Sequence, residues 1–339
     1  MALFAKKLFD INFLNMETPI AVQKFQIDEY HQTYQLLVYY NKENQVNIYN
    51  GSMPKRLSDN INVTNQNLAL TISGVPAAHT QSFVTDLGTW VGTSNGEPVT
   101  SNSKFRWSTA MGLIKHDIGT LNKVTINHMD DLTLITGFDD LLRSYNKDAV
   151  LKRLDFAEGD SIIAMQLIDT NHNSYYAFGF MDDFYTCTHD TDLRVVPISQ
   201  VSPDLKGEIT CEQWKNLTIN KAGFKDGLSF QGIAFDNQDV FYLASQHAPY
   251  GTTQYPAYII RYNINSEVPG PLLDSEQIIF PGEYIALSKS ARPLYSELES
   301  VQYSDKYGLL ATVAWHDTET NHTVKNVVYQ IDWPVISDD

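Results

Sequence analysis

Cysteine is scarce in this chain, which has only Cys187 and Cys211 among 339 residues. Two cysteines cannot build the multi-disulfide framework that holds small secreted domains together, and nothing in the sequence decides whether these two pair. There is also no Cys-x-x-Cys motif, no His-x-x-x-His pair and no Cys/His cluster. We therefore expect no structural metal site.

Basic residues are few as well. The chain has 24 Lys and Arg against 40 Asp and Glu, which gives a formal net charge of −16. A nucleic-acid binder needs a basic face to neutralise phosphates, so this composition argues against nucleic acid as a partner. An acidic, solvated surface is the simplest interpretation of the charge.

Long apolar runs are missing. None reaches the roughly 18 residues that a membrane-spanning helix needs, so we predict no membrane-spanning segment. Lys6, Lys7, Asp10 and Asn12 interrupt the N-terminal region. This region therefore lacks the continuous apolar stretch of a secretory signal. We expect any export to use a route that does not depend on such a signal.

The sequence contains five copies of one motif. Each copy opens with a polar residue, continues as a short apolar strand and reaches an acidic residue five or six positions later. The pairs are Gln23 and Asp28, Gln81 and Asp86, Arg153 and Glu158, Gln231 and Asp236, and Glu299 and Asp305. Asp is a common turn residue because its side chain accepts hydrogen bonds from the nearby backbone, so we expect the four aspartates, Asp28, Asp86, Asp236 and Asp305, to form turns.

Each unit continues with apolar pieces that are rich in β-branched and aromatic residues. The first pieces are "QLLVYYN", "TWVGTS", "SIIAMQLID", "VFYLASQ" and "GLLATVAW". The second pieces are "VNIYN", "KFRWST", "YYAFGF", "AYIIRYNI" and "NVVYQIDW". Strands joined by short polar turns indicate antiparallel meanders, and one meander cannot bury both of its faces alone.

Radial stacking of such sheets predicts an all-β fold, a five-bladed β-propeller with long inter-blade loops that forms a single domain over residues 1–339. A closed barrel, a long β-sandwich or a sixth blade are the alternatives. One segment departs from the strand pattern, because residues 137–154 place apolar side chains at helical spacing, at Phe138, Leu141, Leu142 and Tyr145. We expect a short helix there.

Candidate ligand-binding residues follow from the propeller. If the motif opens the innermost strand of each blade, its polar side chains encircle one end of the central channel, where propellers bind ligands. The candidates are His79, Gln81, Gln231, Gln246, His247, Glu297 and Glu299. The alternative is structural, with these Gln and His side chains hydrogen-bonded to the backbones of neighbouring blades.

Glu297 and Glu299 are also the candidates for catalysis. Residues i and i+2 of a regular strand point to the same face, with carboxyl groups about 6–7 Å apart. Two like charges at that distance raise one pKa, as acid and base pairs of glycosidases require. The alternative is a solvated rim or carboxylates that accept backbone N–H bonds.

Several segments resemble helveticin J and its relatives, the large heat-labile bacteriocins of lactobacilli. They are "SGVPAAHTQSF" (73–83), "QGIAFDNQDVFYLASQHAP" (231–249), "SELESVQ" (296–302) and "LLATVAWHDTETNHTVKNVVYQIDW" (309–333). The order and spacing are similar from about Ile61 onward. The chain departs from the pattern at Arg153, where a carboxylate or amide is expected.

This resemblance implies a secreted protein, exported without a recognisable signal peptide, that inhibits or kills related Gram-positive bacteria. It implies action on the cell envelope without a cofactor, with a surface receptor or a cell-wall glycan as the partner. Two alternatives stay open. One is a hydrolase of wall glycan or teichoic acid that uses Glu297 and Glu299, and the other is a lectin-like propeller that binds glycans without killing.

Overall fold

A computed structural model describes residues 2–16, 20–40, 42–56, 60–85, 89–94, 107–114, 123–159, 162–171, 174–180, 228–236, 240–247, 257–263, 272–281, 284–287 and 290–333. The strands are β1 (Ala2–Phe13), β2 (Val22–Asp28), β3 (Thr33–Tyr40), β4 (Gln45–Ser52), β5 (Ile61–Val63), β6 (Leu68–Ser73), β7 (Phe83–Thr85), β8 (Thr89–Thr93), β9 (Ala110–Ile114), β10 (Val124–Ile126), β11 (Thr133–Ile135), β12 (Leu151–Gly159), β13 (Ile162–Asp169), β14 (Ser174–Phe180), β15 (Leu228–Phe235), β16 (Val240–His247), β17 (Ala257–Asn263), β18 (Leu272–Ile279), β19 (Tyr284–Leu287), β20 (Ser290–Ser304), β21 (Gly308–Asp317) and β22 (Thr323–Ile331). The helix α1 covers Phe138–Tyr145, inside the segment where the sequence predicts one.

The strands form five antiparallel meanders, as the five motif copies predict. Blade one is β2-β3-β4-β6, blade two is β7-β8-β9-β11, and blade three is β12-β13-β14. Blade four is β15-β16-β17-β18, and blade five begins with β20-β21-β22. The fold is therefore an all-β, five-bladed propeller, and each motif copy lies at or immediately before the innermost strand of its blade.

Strand β1 closes the ring of blades. Its residues 5–11 pair antiparallel with β22, which makes β1 the fourth strand of blade five. Residues 2–4 pair in parallel with β18 of blade four, and residues 11–13 pair in parallel with β5. The chain therefore joins its first strand to its last blade, and this role of β1 is one that the repeat pattern does not reveal.

The innermost strands stand side by side around the channel. Strand β2 lies beside β20, β20 beside β15, β15 beside β12, and β12 beside β7. Blade two meets blade one where Thr85 Oγ1 donates to Gln35 Oε1 at 3.0 Å. Gln302 of β20 makes two hydrogen bonds to the backbone of Ile27 in β2. Its side-chain oxygen accepts from the Ile27 N–H at 3.0 Å, and its side-chain nitrogen donates to the Ile27 carbonyl at 3.3 Å.

Four of the five innermost strands carry a β-bulge at or beside the opening residue of the motif. The inserted positions are Gln23 in β2, Lys152 in β12, the pair Gln231 and Gly232 in β15, and Glu299 in β20. A bulge places two residues opposite one and re-aims a side chain that regular alternation would send elsewhere. In β20 this leaves Leu298, Glu299 and Ser300 all buried in succession.

Apolar side chains fill the spaces between blades. Phe9 of β1 is 1% exposed and belongs to the core cluster that contains Phe25 of blade one and Leu310 and Val328 of blade five. In blade two, Phe83, Trp90 and Val91 are buried as blade core, as the motif predicts.

One predicted strand is wrong. The third strand of blade two is β9, which begins at Ala110. The segment "KFRWST" (104–109) precedes it, with 104–106 outside the described residues. Trp107 makes an isolated bridge with His79, and its ring packs against the imidazole of that histidine.

The acidic turn residues behave as predicted where the structure describes them. Asp28 Oδ1 accepts from the N–H of His31 at 2.9 Å, and Asp236 Oδ1 accepts from the N–H of Val240 at 2.9 Å. Asp305 lies in the turn between β20 and β21. Asp86 and the two cysteines, Cys187 and Cys211, lie outside the described residues.

Candidate functional site

The opening residues of the five motif copies meet at the propeller axis and form one buried network. Gln23, Gln81, Arg153, Gln231 and Glu299 are each 6% exposed or less. Gln23 donates to Glu299 Oε2 at 3.0 Å, Gln81 donates to Gln231 Oε1 at 2.7 Å, and Arg153 donates to Gln81 Oε1. The side chain of Gln81 also acts to lower the pKa of Glu299, so the two side chains lie near each other at the axis. We call these five residues the axial network.

Arg153, the departure from the family pattern, supplies the cation of this network. Its Nε lies 2.5 Å from Oδ2 of Asp155, and its guanidinium lies 4.4 Å from the ring centroid of Trp107. Oδ1 of Asp155 also accepts a hydrogen bond from the Ser82 hydroxyl at 3.3 Å. The positive charge of Arg153 is thus paired at close range with Asp155 and sits on an aromatic face.

Gln246 joins blades four and five instead of facing the channel as a free amide. It donates to the carbonyl of Ser296 at 3.1 Å and accepts from the N–H of Leu298 at 2.6 Å. This is the structural arrangement that the sequence left open as the alternative. His247 ends β16 opposite Leu228, and its side chain is outside what the structure describes.

His79 packs between two aromatic rings. Its ring centroid lies 4.7 Å from that of Trp107 and 5.1 Å from that of Tyr39. The protein atoms around the imidazole disfavour its charged form and, with the nearby charge of Arg153, lower the pKa of His79 to about 3. His79 is therefore a neutral member of an aromatic cluster at ordinary pH.

Glu297 and Glu299 lie closer together than a regular strand would place them. One carboxylate oxygen from each residue and one ring nitrogen of His316 all lie within 4.8 Å of one another. The separation is shorter than expected because the bulge at Glu299 breaks the strict alternation of β20. Burial raises the pKa of Glu299 well above its usual range, and the neighbouring charge of Glu297 raises it further.

His316 is a site residue that sequence reasoning missed. It lies on β21 opposite Tyr295, and its imidazole stacks on the Tyr295 ring with 4.9 Å between centroids. The tight turn after Ser304 sets the register of β20 and β21, with Ser304 opposite Gly308. Counting residue pairs outward from this turn could have placed His316 near Glu297. The bulge at Glu299 shifts that register by one residue, and the sequence pattern does not predict the bulge.

A cavity of about 340 Å³ occupies the channel where the innermost strands end, and we call it the carboxyl-end cavity. All five innermost strands line it, among them β2 with Lys24 and Gln26, and β20 with Tyr303. Gln26 Oε1 is buried and has no hydrogen-bond partner among the described residues. The Tyr303 ring is partly exposed and stacks on Tyr242, with 6.1 Å between centroids and 6° between planes.

The model of the family Bacteriocin helveticin-J matches residues 6–334. The chain belongs to this family. The match confirms the resemblance seen in the sequence and extends it toward the N-terminus, over most of β1. A comparison with curated proteins finds no match to this member of the helveticin-J family.

Among solved structures, the α-L-arabinofuranosidase PaAbf62A from Podospora anserina has a TM-score of 0.47 and 7% identity, covering 98% of this chain and 97% of its own. The GH62 α-L-arabinofuranosidase domain of Coprinopsis cinerea has a TM-score of 0.44 and 9% identity, covering 97% and 98%. The α-L-arabinanase of Cellvibrio cellulosa has a TM-score of 0.42 and 8% identity, covering 93% and 96%. Likenesses this weak support no inference about this helveticin-J family member.

Within the described part of the chain, no helix combines the length and apolar character that a membrane crossing requires.

Proposed function

We propose that this protein is a secreted bacteriocin that recognises a cell-wall glycan of related Gram-positive bacteria through its carboxyl-end cavity. Membership of the helveticin-J family supports the antimicrobial role and the release from the cell. The observation that supports glycan recognition is the cavity itself. Its volume of about 340 Å³ falls in the range of small-molecule sites, and it combines aromatic and polar groups.

The axial network indicates that the central channel is a closed pocket and not an open pore. Its five side chains are buried near the start of the innermost strands, and their mutual hydrogen bonds use most of the polar groups that a ligand would otherwise engage. We therefore place the ligand at the opposite mouth and not at Gln81, Gln231 or Glu299.

The chemistry of the cavity suits a sugar. A partly exposed aromatic ring such as Tyr303 offers a flat apolar surface to the C–H face of a pyranose. The unpaired Oε1 of Gln26 can accept a hydrogen bond from a sugar hydroxyl, and Asp305 adds a carboxylate at the rim. A few convergent polar groups around an apolar surface are what fix the orientation of a bound ligand.

The experiment compares binding to purified cell walls of lactobacilli with growth inhibition of the same strains. We expect Gln26→Leu and Tyr303→Ala to weaken wall binding at least tenfold and to reduce inhibition in parallel. Gln66→Leu and Tyr30→Ala change the same residue types at exposed positions and should bind as the wild type does. Absence of binding to every wall preparation, or wild-type binding by both cavity variants, overturns the proposal.

A second candidate function is hydrolysis of a wall glycan or teichoic acid by Glu297 and Glu299. The approach of their oxygens to within 4.8 Å favours it, because retaining glycosidases hold two carboxyl groups about 5–5.5 Å apart. Release of reducing ends or teichoic-acid fragments from purified walls, lost in Glu297→Gln and in Glu299→Gln, would support this candidate. Wall binding without loss of viability would instead indicate a lectin-like protein, which a glycan array and a viability assay separate.

A further inference from the structure

We propose that Glu297, Glu299 and His316 bind a divalent metal ion of the zinc or manganese type. The two carboxylates come from β20, and the imidazole comes from the adjacent strand β21. Their three donor atoms lie within 4.8 Å of one another. An ion about 2.1 Å from each donor would bring them to about 3–4 Å apart, a small adjustment for three side chains.

The imidazole provides an independent observation. His316 is 6% exposed, and its Nε2 lies 3.1 Å from Glu297 Oε2 without the geometry of a hydrogen bond. Nε2 is therefore a buried polar atom that points into the cluster with no hydrogen-bond partner among the described residues. The other nitrogen, Nδ1, lies 3.3 Å from Thr323 Oγ1, an outer contact of the kind that orients a metal-binding histidine.

The local charge also favours a cation. Glu299 is 3% exposed and lies beside Glu297, so two like charges share a poorly solvated place. The guanidinium of Arg153 also acts electrostatically on Glu299, but it lies 2.5 Å from Asp155, so one cation faces three carboxylates. A divalent ion would offset the remaining negative charge at short range, where Coulomb interactions are strongest.

The surroundings of Glu299 are those of a supported ligand. Gln23 donates to its Oε2 at 3.0 Å. Hydrogen bonds to a ligating carboxylate fix its orientation and are part of most metal sites. The side chain of Glu297 is 27% exposed, which gives an ion access and leaves a coordination position for water.

The donor set indicates which ion. Imidazole nitrogen suits zinc and other first-row transition metals, whereas calcium and magnesium prefer oxygen alone. A bound cation keeps both carboxylates ionised, so neither could be the protonated acid that the hydrolytic candidate needs. The metal proposal does not depend on glycan binding, because the cavity lies toward the other end of the innermost strands.

The experiment titrates tag-free, chelator-treated full-length protein with Zn²⁺ or Mn²⁺ alone, using calorimetry and, for Mn²⁺, electron paramagnetic resonance. We expect one ion per chain with a micromolar or lower Kd, weaker binding of Ca²⁺, and a higher Tm when the ion is present. Glu297→Gln, Glu299→Gln and His316→Phe should each weaken binding at least tenfold. Glu299→Gln keeps an oxygen acceptor for Gln23 and removes a buried charge, so it serves as the variant that is expected to fold.

Two control variants address adventitious sites. Glu43→Gln removes an exposed carboxylate, and His31→Phe removes the exposed imidazole that lies 2.6 Å from Asp28. Both should bind metal as the wild type does. The proposal is overturned if the wild type shows no saturable binding below millimolar metal. It is also overturned if binding survives in a folded Glu299→Gln variant, or is lost only in His31→Phe.

Discussion

Gln23 and Glu299 are 276 positions apart in the chain, yet the amide of the first donates to the carboxylate of the second at 3.0 Å. One belongs to the first innermost strand and the other to the last, and both are inserted residues of β-bulges. This contact therefore closes the channel wall where blade five meets blade one. The other bonds of the axial network extend the closure to blades two, three and four.

Loss of this contact should destabilise the fold in a charge-dependent way. In metal-free protein, Gln23→Leu removes a donor from a buried carboxylate, and we expect it to lower the free energy of unfolding by about 1.5–3 kcal/mol. In a Glu299→Gln background the acceptor is neutral, so the same change should cost about 0.5–1.5 kcal/mol. Urea unfolding of the four proteins measures both costs, with Gln66→Leu as the exposed control. Equal costs in the two backgrounds would contradict the arrangement.

The β1 strand should contribute stability out of proportion to its position in the chain. Phe9 is 1% exposed and packs against Phe25 and Tyr307, with ring centroids 6.4 Å away in both cases. We expect Phe9→Ala to cost about 3–5 kcal/mol, because it empties a space between blades one and five. Phe4 lies on the same strand but is 71% exposed, so Phe4→Ala should leave the unfolding midpoint nearly unchanged. Similar losses in both variants would show that β1 does not close the ring.

The repeat in the sequence was sufficient to predict five blades, because each copy supplies a polar opening residue and an apolar strand with its own turn. The pattern could not predict β1, since a strand that completes another blade has no repeat partner in its own neighbourhood. Nor could it predict which way the polar residues point. Two readings of Gln246 were open from the sequence, and only the approach of Ser296 and Leu298 decides between them.

The site was less predictable than the fold for a physical reason. Glu297 and Glu299 are visible as a pair in the sequence, but their approach to His316 depends on the bulge in β20 and on pairing with β21. The carboxyl-end cavity draws residues from five strands spread from Lys24 to Asp305. Its polar members lie at positions with no common motif, so only the closed ring brings them together.

Replacing Gly232 should destabilise the protein more than replacing another glycine with a positive φ. Its φ of +109° is strained for any side chain, and a Cβ there would lie 3.3 Å from the Ser300 Cα of the neighbouring innermost strand. We expect Gly232→Ala to cost at least about 2 kcal/mol, through both backbone strain and displacement of β20. Gly308 also has a positive φ, +69°, but open space around it, so Gly308→Ala should cost only about 1 kcal/mol. Chemical denaturation of both variants tests the difference, and an equal cost would mean that the close approach of β15 and β20 is unimportant.

His79 should make the protein less stable as the pH falls. Its pKa in the folded protein is about 3, whereas an unfolded chain has the ordinary value of about 6.5. Between these values the unfolded state binds more protons, so stability rises with pH across the window from about 3 to 6.5 and is lost on acidification. The lowered pKa comes first from the packed surroundings of the ring and second from the charge of Arg153.

His79→Phe keeps an aromatic ring against Trp107 and Tyr39 but removes the titrating group. We expect the variant to lose this part of the pH dependence, so that its stability relative to the wild type improves by up to about 1 kcal/mol per pH unit between pH 6 and pH 4. Urea unfolding at pH 4, 5, 6 and 7.5 measures this difference, and titrations common to both proteins cancel in the comparison. His31→Phe, at an exposed histidine, is the control. Parallel pH profiles for the wild type and His79→Phe would mean that the imidazole of His79 is charged in the folded protein or exposed to water.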